Sequence, residues 1–359
     1  MKSGRSIEVE ITDVAFGGKG VGRVDGRVCF VPFTAPGDRV SARVRREKKQ
    51  FMEADLERVL SPAAERVEPR CEYFGRCGGC AYQHLSYARQ LELKASQVEQ
   101  TLRRVGRLEQ VPMRPMVASP KEYGYRNRIR VHVAGGVAGF YEAGSNRLVD
   151  VGQCPIARPE VNTGLRRLRS AGLPDGDYAL RAPGGGGPFF EQTNEAVARE
   201  MVEAVGRMVR VGQELLVDAF CGSGLFAKHL ASQFARVAGI EQNTLAVESA
   251  RRGAGPTESY ICGDVEVHLG DVLSWADPAR TTVIADPPAT GLSARVTELI
   301  TGVGPAEVVY VSCNPATLAR DLGLLAGRYR LESVTPFDMF PQTAEIEVVA
   351  HLVRVSEAA

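Results

Sequence analysis

A chain of 359 residues with 44% apolar content is long enough for two or three domains and too apolar for general disorder. Its start, MKSGRSIEVEIT, lacks the apolar stretch of a secretory signal, and no run approaches the roughly 18 apolar residues of a membrane span. A cytoplasmic protein with no membrane partner is therefore expected, its eight cysteines held as thiols or metal ligands. The formal net charge of +1 conceals an asymmetry. Residues 1–130 carry 25 Lys/Arg against 16 Asp/Glu, whereas residues 131–359 carry 19 against 27. A basic front and an acidic rear suggest that the front meets a polyanion.

Residues 1–60 are predicted to be all-β. IEVEI at 7–11 and VSARV at 40–44 alternate with period two, and glycine-rich turns separate about five short strands. This pattern fits a small barrel of the oligonucleotide-binding type. The string DVAFGGKGVGRVDGRVCFVPFTAPGDRV at 13–40 resembles the TRAM domain, an RNA-binding barrel of RNA-modifying enzymes. The basic run at 43–49 could track phosphates or blunt a solvated edge strand.

Residues 61–190 open with a cysteine cluster. Cys71, Cys77 and Cys80 lie within ten residues among Gly75, Gly78 and Gly79, and Cys154 stands much later before a proline. In a reducing compartment this grouping argues for a metal centre over disulfides, and the spacing leaves zinc and a cubane iron–sulfur cluster both open. Residues 84–106 are predicted as a long helix with Leu85, Leu91, Val98, Leu102 and Val105 near one stripe and Arg89, Lys94, Arg103 and Arg104 elsewhere. Strands are expected near 127–133 and 136–141. PGGGGP at 183–188 reads as a turn or hinge before the last domain.

Residues 191–359 alternate strands and helices. Strands are predicted at 215–220, 237–240, 259–262, 282–285 and 308–312, helices at 226–233, 244–252 and 315–325, and a final antiparallel strand at 346–355. The alternation implies an α/β doubly wound sheet. DAFCGSG at 218–224 reads as the first strand and glycine turn of a nucleotide-type fold, with Gly222 and Gly224 letting backbone approach a ligand. Glu241, ending the next strand, can accept ribose hydroxyls, and Asp264 can accept from an adenine amino group. The glycine pattern alone also satisfies a relaxed dinucleotide fingerprint. Asp286-Pro287-Pro288 after the fourth strand, together with Cys313 after the fifth, tips the ligand to S-adenosylmethionine. An amine methyltransferase would carry an aromatic after the two prolines, where Ala289 stands.

Over nearly its whole length the chain resembles the bacterial RNA uracil-5-methyltransferases that carry a TRAM domain and a [4Fe-4S] cluster. The resemblance rests on the barrel string, CEYFGRCGGC, PFFEQTN, DAFCGSG, DPP, YVSCNPATLARDL and DMFPQTAEIE. It implies Cys313 as nucleophile, Glu347 as general base and Asp286 as the carboxylate that holds or polarises the target base. It also implies Gln192, Phe220, Glu241 and Asp264 as cofactor contacts, and Cys71, Cys77, Cys80 and Cys154 as cluster ligands. Three residues depart from the family pattern: Ala289 in place of an arginine, Glu345 in place of a histidine, and Leu225 where some members are polar. Glu345 and Glu347, two apart on an extended segment, are expected to share a face and couple electrostatically. The expected partner is RNA, ribosomal before transfer RNA, acted on by a single copy of the chain. The alternatives are a transfer-RNA uracil-5-methyltransferase, an RNA cytosine-5-methyltransferase, which would commonly use a second cysteine, and a non-catalytic RNA-binding factor.

Overall fold

The computed structural model describes residues 4–183, 192–210 and 212–355. Most of the 183–188 glycine turn and the start of PFFEQTN therefore lie outside the described residues. The described residues fall into two compact units. The first holds 4–97, 120–183 and 340–345, and the second holds 98–119, 192–339 and 346–355. The sequence-based division at 60 and 190 is thus not the division by packing. Both the barrel and the cysteine region lie in the first unit.

The first unit begins with a closed barrel of β1 (Ser6–Val14), β2 (Lys19–Val24), β3 (Arg27–Pro32), β4 (Arg39–Glu47) and β5 (Phe51–Ser61), in the order β1-β2-β3-β5-β4. Alternation places Ile7, Val9, Ile11, Val40, Val44 and Met52 inside it. Glycine is required at Gly22, where a Cβ would stand 2.3 Å from the Glu10 carbonyl oxygen of the neighbouring strand. The basic run is not an open phosphate track. Arg43 pairs with Glu57 at 2.6 Å, Arg45 lies 3.8 Å from both Glu53 and Asp55, and Arg46 lies 3.9 Å from Glu53, because β4 runs antiparallel to acid-rich β5.

Helix α1 (Tyr87–Val105) follows the cysteine loop. Its buried side is not the stripe expected from the sequence. Val105 is exposed, while Leu93, Lys94 and Gln97 are buried with Val98 and Leu102. Lys94 is covered because its Nζ donates to the Phe340 carbonyl at 3.1 Å, and its ammonium stands 5.8 Å from the centre of the Tyr82 ring. Val98 and Leu102 join the core of the second unit, which is why the chain from 98 to 119 belongs there. The first unit continues with a four-stranded antiparallel sheet of β6 (Arg128–Ala134), β7 (Val137–Tyr141), β8 (Leu148–Asp150) and β9 (Gly176–Arg181), ordered β8-β7-β6-β9. Helix α2 (Pro159–Ser170) covers one face, packing Val161, Leu165 and Leu168 on Ile129, Val131 and Val149.

The second unit is a seven-stranded sheet. Its helices are α3 (Glu195–Met208), α4 (Leu225–Leu230), α5 (Thr244–Arg251), α6 (Val265–Leu273), α7 (Ala294–Val303) and α8 (Pro315–Leu325). Strands β10 (Leu215–Ala219), β11 (Arg236–Glu241), β12 (Glu258–Cys262), β13 (Thr281–Ala285) and β14 (Glu307–Ser312) are parallel, and β15 (Tyr329–Phe337) and β16 (Glu347–Arg354) complete an antiparallel edge. The order is β12-β11-β10-β13-β14-β16-β15. Winding proceeds one way from β10 to β12 and the other way from β13, so the switch point lies between β10 and β13, where open α/β sheets bind ligands. Strand β15 escapes pattern reading because YRLESVTPF lacks alternation at its start. No helix among the described residues is long and apolar enough to cross a membrane.

Candidate active site

Around the carboxyl ends of the parallel strands lies a cavity of about 930 Å³. It gathers Gln192, Phe220, Gly222, Gly224, Glu241, Asp264, Asp286, Cys313 and Glu347, every catalytic and cofactor-binding residue expected from the sequence. On one side of the switch point, the chain leaves β10 through Phe220 at φ +64°, a region a bulky side chain rarely adopts. Gly222 (φ +53°) and Gly224 (φ +84°) complete the turn, and a Cβ at Gly222 would enter open space. Glu241 holds this turn in place. Its carboxylate accepts from Gly222 N at 3.0 Å and from Asn243 N at 2.7 Å, and each oxygen keeps a further lone pair for a ligand hydroxyl. Asp264 caps α6, accepting from Glu266 N at 2.9 Å.

On the other side, Asp286 follows β13 and Cys313 follows β14. Asn314 caps α8, accepting from Ala316 N at 3.0 Å, and Pro315 opens the helix. The two loops are tied together: Asn314 Nδ2 and Thr317 Oγ1 both donate to the Ala289 carbonyl at 3.1 Å, and Arg320 donates to the Thr290 carbonyl at 2.9 Å. Below them buried Asp321 accepts from Leu292 N at 2.8 Å and from the Tyr310 hydroxyl at 2.7 Å. Tyr310, Asn314, Thr317, Arg320 and Asp321 all belong to the string YVSCNPATLARDL, yet their positioning work appears only once the loops are folded. Cys313 is exposed to the cavity at the amino end of α8, where the helix dipole favours an anion.

Glu347 is the first residue of β16 and is buried against the same cavity. Val308 pairs with Leu352 and Ser312 with Val348, so one further step along the antiparallel register sets Cys313 beside Glu347. The expected coupling of Glu345 with Glu347 is not what the structure shows. Strand β16 begins only at Glu347, after a turn in which Gln342 takes φ +71°. Glu345 is exposed and pairs with Arg126 at 3.2 Å, within the first unit.

The cavity is rich in carboxylates. Asp218, unremarked in the sequence beyond opening the glycine motif, lines it together with Glu195, Glu241, Asp264, Asp286 and Glu347. Burial drives the Asp218 carboxyl up to about 7, with neighbouring Asp286 and Glu241 adding to the rise, although Ala227 N donates to it at 2.9 Å. Burial likewise carries Asp286 to about 7. One oxygen of Asp218 is buried without a hydrogen-bond partner. Such a wall repels the pyrophosphate of a dinucleotide and suits a ligand with cationic sulfonium and ammonium groups, which fits S-adenosylmethionine. Cys221, also in the wall, is buried, and burial pushes its thiol far up, away from a reactive thiolate.

These two carboxyls give a pH signature. Their folded-state values near 7, against an ordinary 3.8, mean that the folded chain binds more protons than the unfolded chain between about pH 4 and pH 7. Their stabilising contribution is complete below pH 4 and is lost as pH rises through 7. Urea unfolding of the cofactor-free protein should show this decline, on the order of a few kcal/mol. Asp218→Asn should remove a large part of it. A slope unchanged in that variant would refute the assignment.

The four expected metal ligands all lie in the first unit. Tyr73, inside the cysteine loop, accepts from Gly152 N through its hydroxyl at 3.1 Å, joining the loop to the segment carrying Cys154. Cys154 is thereby close enough to Cys80 and Cys77 for each thiolate to feel the others' charge, and Cys71 is equally coupled to Cys77. Burial pushes Cys80 up to about 12 and Cys154 up to about 11. Arg126 lies near both and opposes the rise. A bound metal cation would reverse it outright. Four clustered thiols fit a thiolate-ligated centre in kind. Nevertheless, no group of three or more His, Cys, Asp or Glu among the described residues stands ready to hold a metal ion, so the expected iron–sulfur domain is not established by the fold.

Comparison with known proteins agrees with the site. The TRAM domain family matches residues 2–56, and the tRNA (Uracil-5-)-methyltransferase family matches residues 272–355, which include Asp286, Cys313 and Glu347. An RNA methyltransferase of Thermosynechococcus vestitus is 31% identical over 98% of both chains. One from Protochlamydia amoebophila is 31% identical over 97% of this chain and 98% of its own. Among solved structures, the tRNA (uracil-54, C5)-methyltransferase of Pyrococcus abyssi, in complex with S-adenosyl-L-homocysteine, is 26% identical. It covers 97% of this chain and 100% of its own with a TM-score of 0.71. With a TRAM barrel at one end and a carboxylate-walled cavity carrying a cysteine and a glutamate at the other, the chain belongs to the S-adenosylmethionine-dependent RNA uracil-5-methyltransferase family.

Proposed function

We propose that this enzyme methylates carbon 5 of a uridine in ribosomal RNA through a covalent adduct with Cys313. The observation that carries the reading is the convergence of Cys313, Glu347 and Asp286 on one cavity. Carbon 5 of uracil is a poor nucleophile until a thiolate adds to carbon 6. The Cys313 sulfur forms that bond, and the displaced electron pair moves to carbon 5 and the carbonyl at position 4. S-adenosylmethionine, when bound, supplies an electrophilic methyl group, and Gln192, Phe220, Glu241 and Asp264 are the residues that hold it. Asp286 fixes the base edge by hydrogen bonding, a role its raised proton affinity suits whether it accepts or donates. Glu347 takes the proton from carbon 5, and the electron pair left behind expels the thiolate. The balance is one methyl gained and one proton lost, with Cys313 regenerated.

Ribosomal RNA is favoured by the resemblance that combines a TRAM barrel with a cysteine cluster. Transfer RNA is the second reading, favoured by the similarity to the Pyrococcus abyssi transfer-RNA enzyme. Mass mapping of 5-methyluridine in both RNA pools, from strains with and without the gene, decides between them. No missing 5-methyluridine in either pool would overturn the activity. Cys71, Cys77, Cys80 and Cys154 are proposed as ligands of a [4Fe-4S] cluster that supports the first unit. Anaerobically purified protein should contain about four iron and four acid-labile sulfide per chain and absorb broadly near roughly 400 nm. Stoichiometric zinc without iron would replace the cluster with a zinc site.

A further inference from the structure

The four-stranded sheet of the first unit is covered on one face only. Ile129, Val131 and Val133 of β6, Ala138 of β7, and Tyr178 and Leu180 of β9 point into the α2 core. Alternation turns their neighbours to the opposite face. That face carries Arg128, Arg130 and His132 on β6, Ala179 and Arg181 on β9, and Tyr141 on β7.

Three features of this face point to one kind of occupant. Arg128 and Arg181 are direct cross-strand partners, a like-charge pairing that weakens a sheet unless an anion lies over it. Arg130 is exposed opposite the small, exposed Ala179, leaving a flat floor beside a guanidinium. His132 and Tyr141 stack with ring centres 4.2 Å apart, and Tyr141 remains 42% exposed. The carboxylates of the sheet are already engaged: Asp177 with His132 at 2.6 Å, Asp150 with Arg169, and nearby Glu142 with Arg147 at 2.7 Å. The platform is also held from below the strand end, since Gly78 N in the cysteine loop donates to the Tyr141 carbonyl at 2.9 Å. Arginines on an open sheet beside an exposed aromatic form the arrangement that binds unpaired nucleotides, bases stacking on the ring and phosphates on the guanidinium groups.

We infer that the open face of this sheet binds a single-stranded segment of the RNA substrate, with a base on Tyr141 and the backbone along Arg128, Arg130 and Arg181. The inference rests on the proposed RNA methylation and adds a second contact surface to the barrel. It is tested on the full-length holoenzyme with a fluorescein-labelled uridine dodecamer. Tyr141→Ala and Arg130→Ala should each weaken binding about tenfold. Arg130→Ala should also lower the slope of log affinity against log salt by about 0.7. Tyr141→Phe, which keeps the ring, should bind like wild type, a rescue that a merely structural role of the hydroxyl would not give. A 4-thiouridine dodecamer should photocrosslink to the peptide containing Tyr141. With RNA from the gene-deleted strain, both alanine variants should raise KM and leave kcat unchanged.

Wild-type affinity and salt slope in both alanine variants, with crosslinks only elsewhere, would overturn this surface while 5-methyluridine formation still stood. Loss of a co-purifying protein from the variants, with RNA binding intact, would overturn it equally and mark the face as a protein dock. Absence of 5-methyluridine with the wild-type enzyme would instead remove the methylation on which the inference rests.

Discussion

Cys313→Ala is expected to lower methyl transfer by on the order of 10⁴-fold or more, because without the thiolate carbon 5 has no route to becoming a nucleophile. Cofactor binding should be nearly unchanged. The groups facing an adenosine ligand, Glu241 and Asp264 at the ends of β11 and β12, lie across the switch point from the β14–α8 turn that carries the cysteine. Isothermal titration with S-adenosyl-L-homocysteine checks the first point, and tritium transfer to RNA checks the second. RNA carrying 5-fluorouridine should trap the wild-type enzyme as a stable adduct, since fluorine cannot depart as a proton does. Robust turnover in Cys313→Ala, or failure to trap with an enzyme active on ordinary RNA, would sink the covalent route.

Glu347→Gln should act later in the same sequence. The amide cannot take the carbon 5 proton, so the methylated adduct should accumulate and product release should slow by about 10²- to 10⁴-fold. Denaturing gels of enzyme with labelled RNA report the adduct directly. Glu345→Gln serves as the control, because Glu345 pairs with Arg126 and does not line the cavity. If Glu345→Gln stalls the enzyme and Glu347→Gln does not, the base has been assigned to the wrong carboxylate. A loss in Glu347→Gln without adduct would mean that its carboxylate is needed before the thiol adds.

Much of the architecture is legible in local pattern. Period-two alternation marks β1 and β4, continuous apolar runs mark the buried parallel strands, and Asn314-Pro315 marks the start of α8. Glycines at 222 and 224, with acids at the ends of the following strands, identify a ligand-binding end because the chemistry of close backbone approach admits few residue types. Those signals are local, and local signals survive without the fold.

What the chain does not display by itself is which distant residues meet. Lys94 reads as a solvated position on a helix, and only the Phe340 carbonyl, brought to it by the folded chain, makes its burial tolerable. Glu345 and Glu347 look equivalent by spacing, yet a turn before β16 sends one to Arg126 and the other into the cavity. Asp218 is an ordinary motif residue until burial and the nearby Asp286 and Glu241 raise its proton affinity. Cys154 has no local reason to join Cys71, Cys77 and Cys80; the bond between Tyr73 and Gly152 supplies one. Sequence alone therefore determined the elements, the ligand-binding end and the residue types of the chemistry, because these follow from periodicity and side-chain identity. Partner choice, burial and charge state were decided by the tertiary structure, because desolvation and Coulomb interactions depend on distances that sequence separation does not encode.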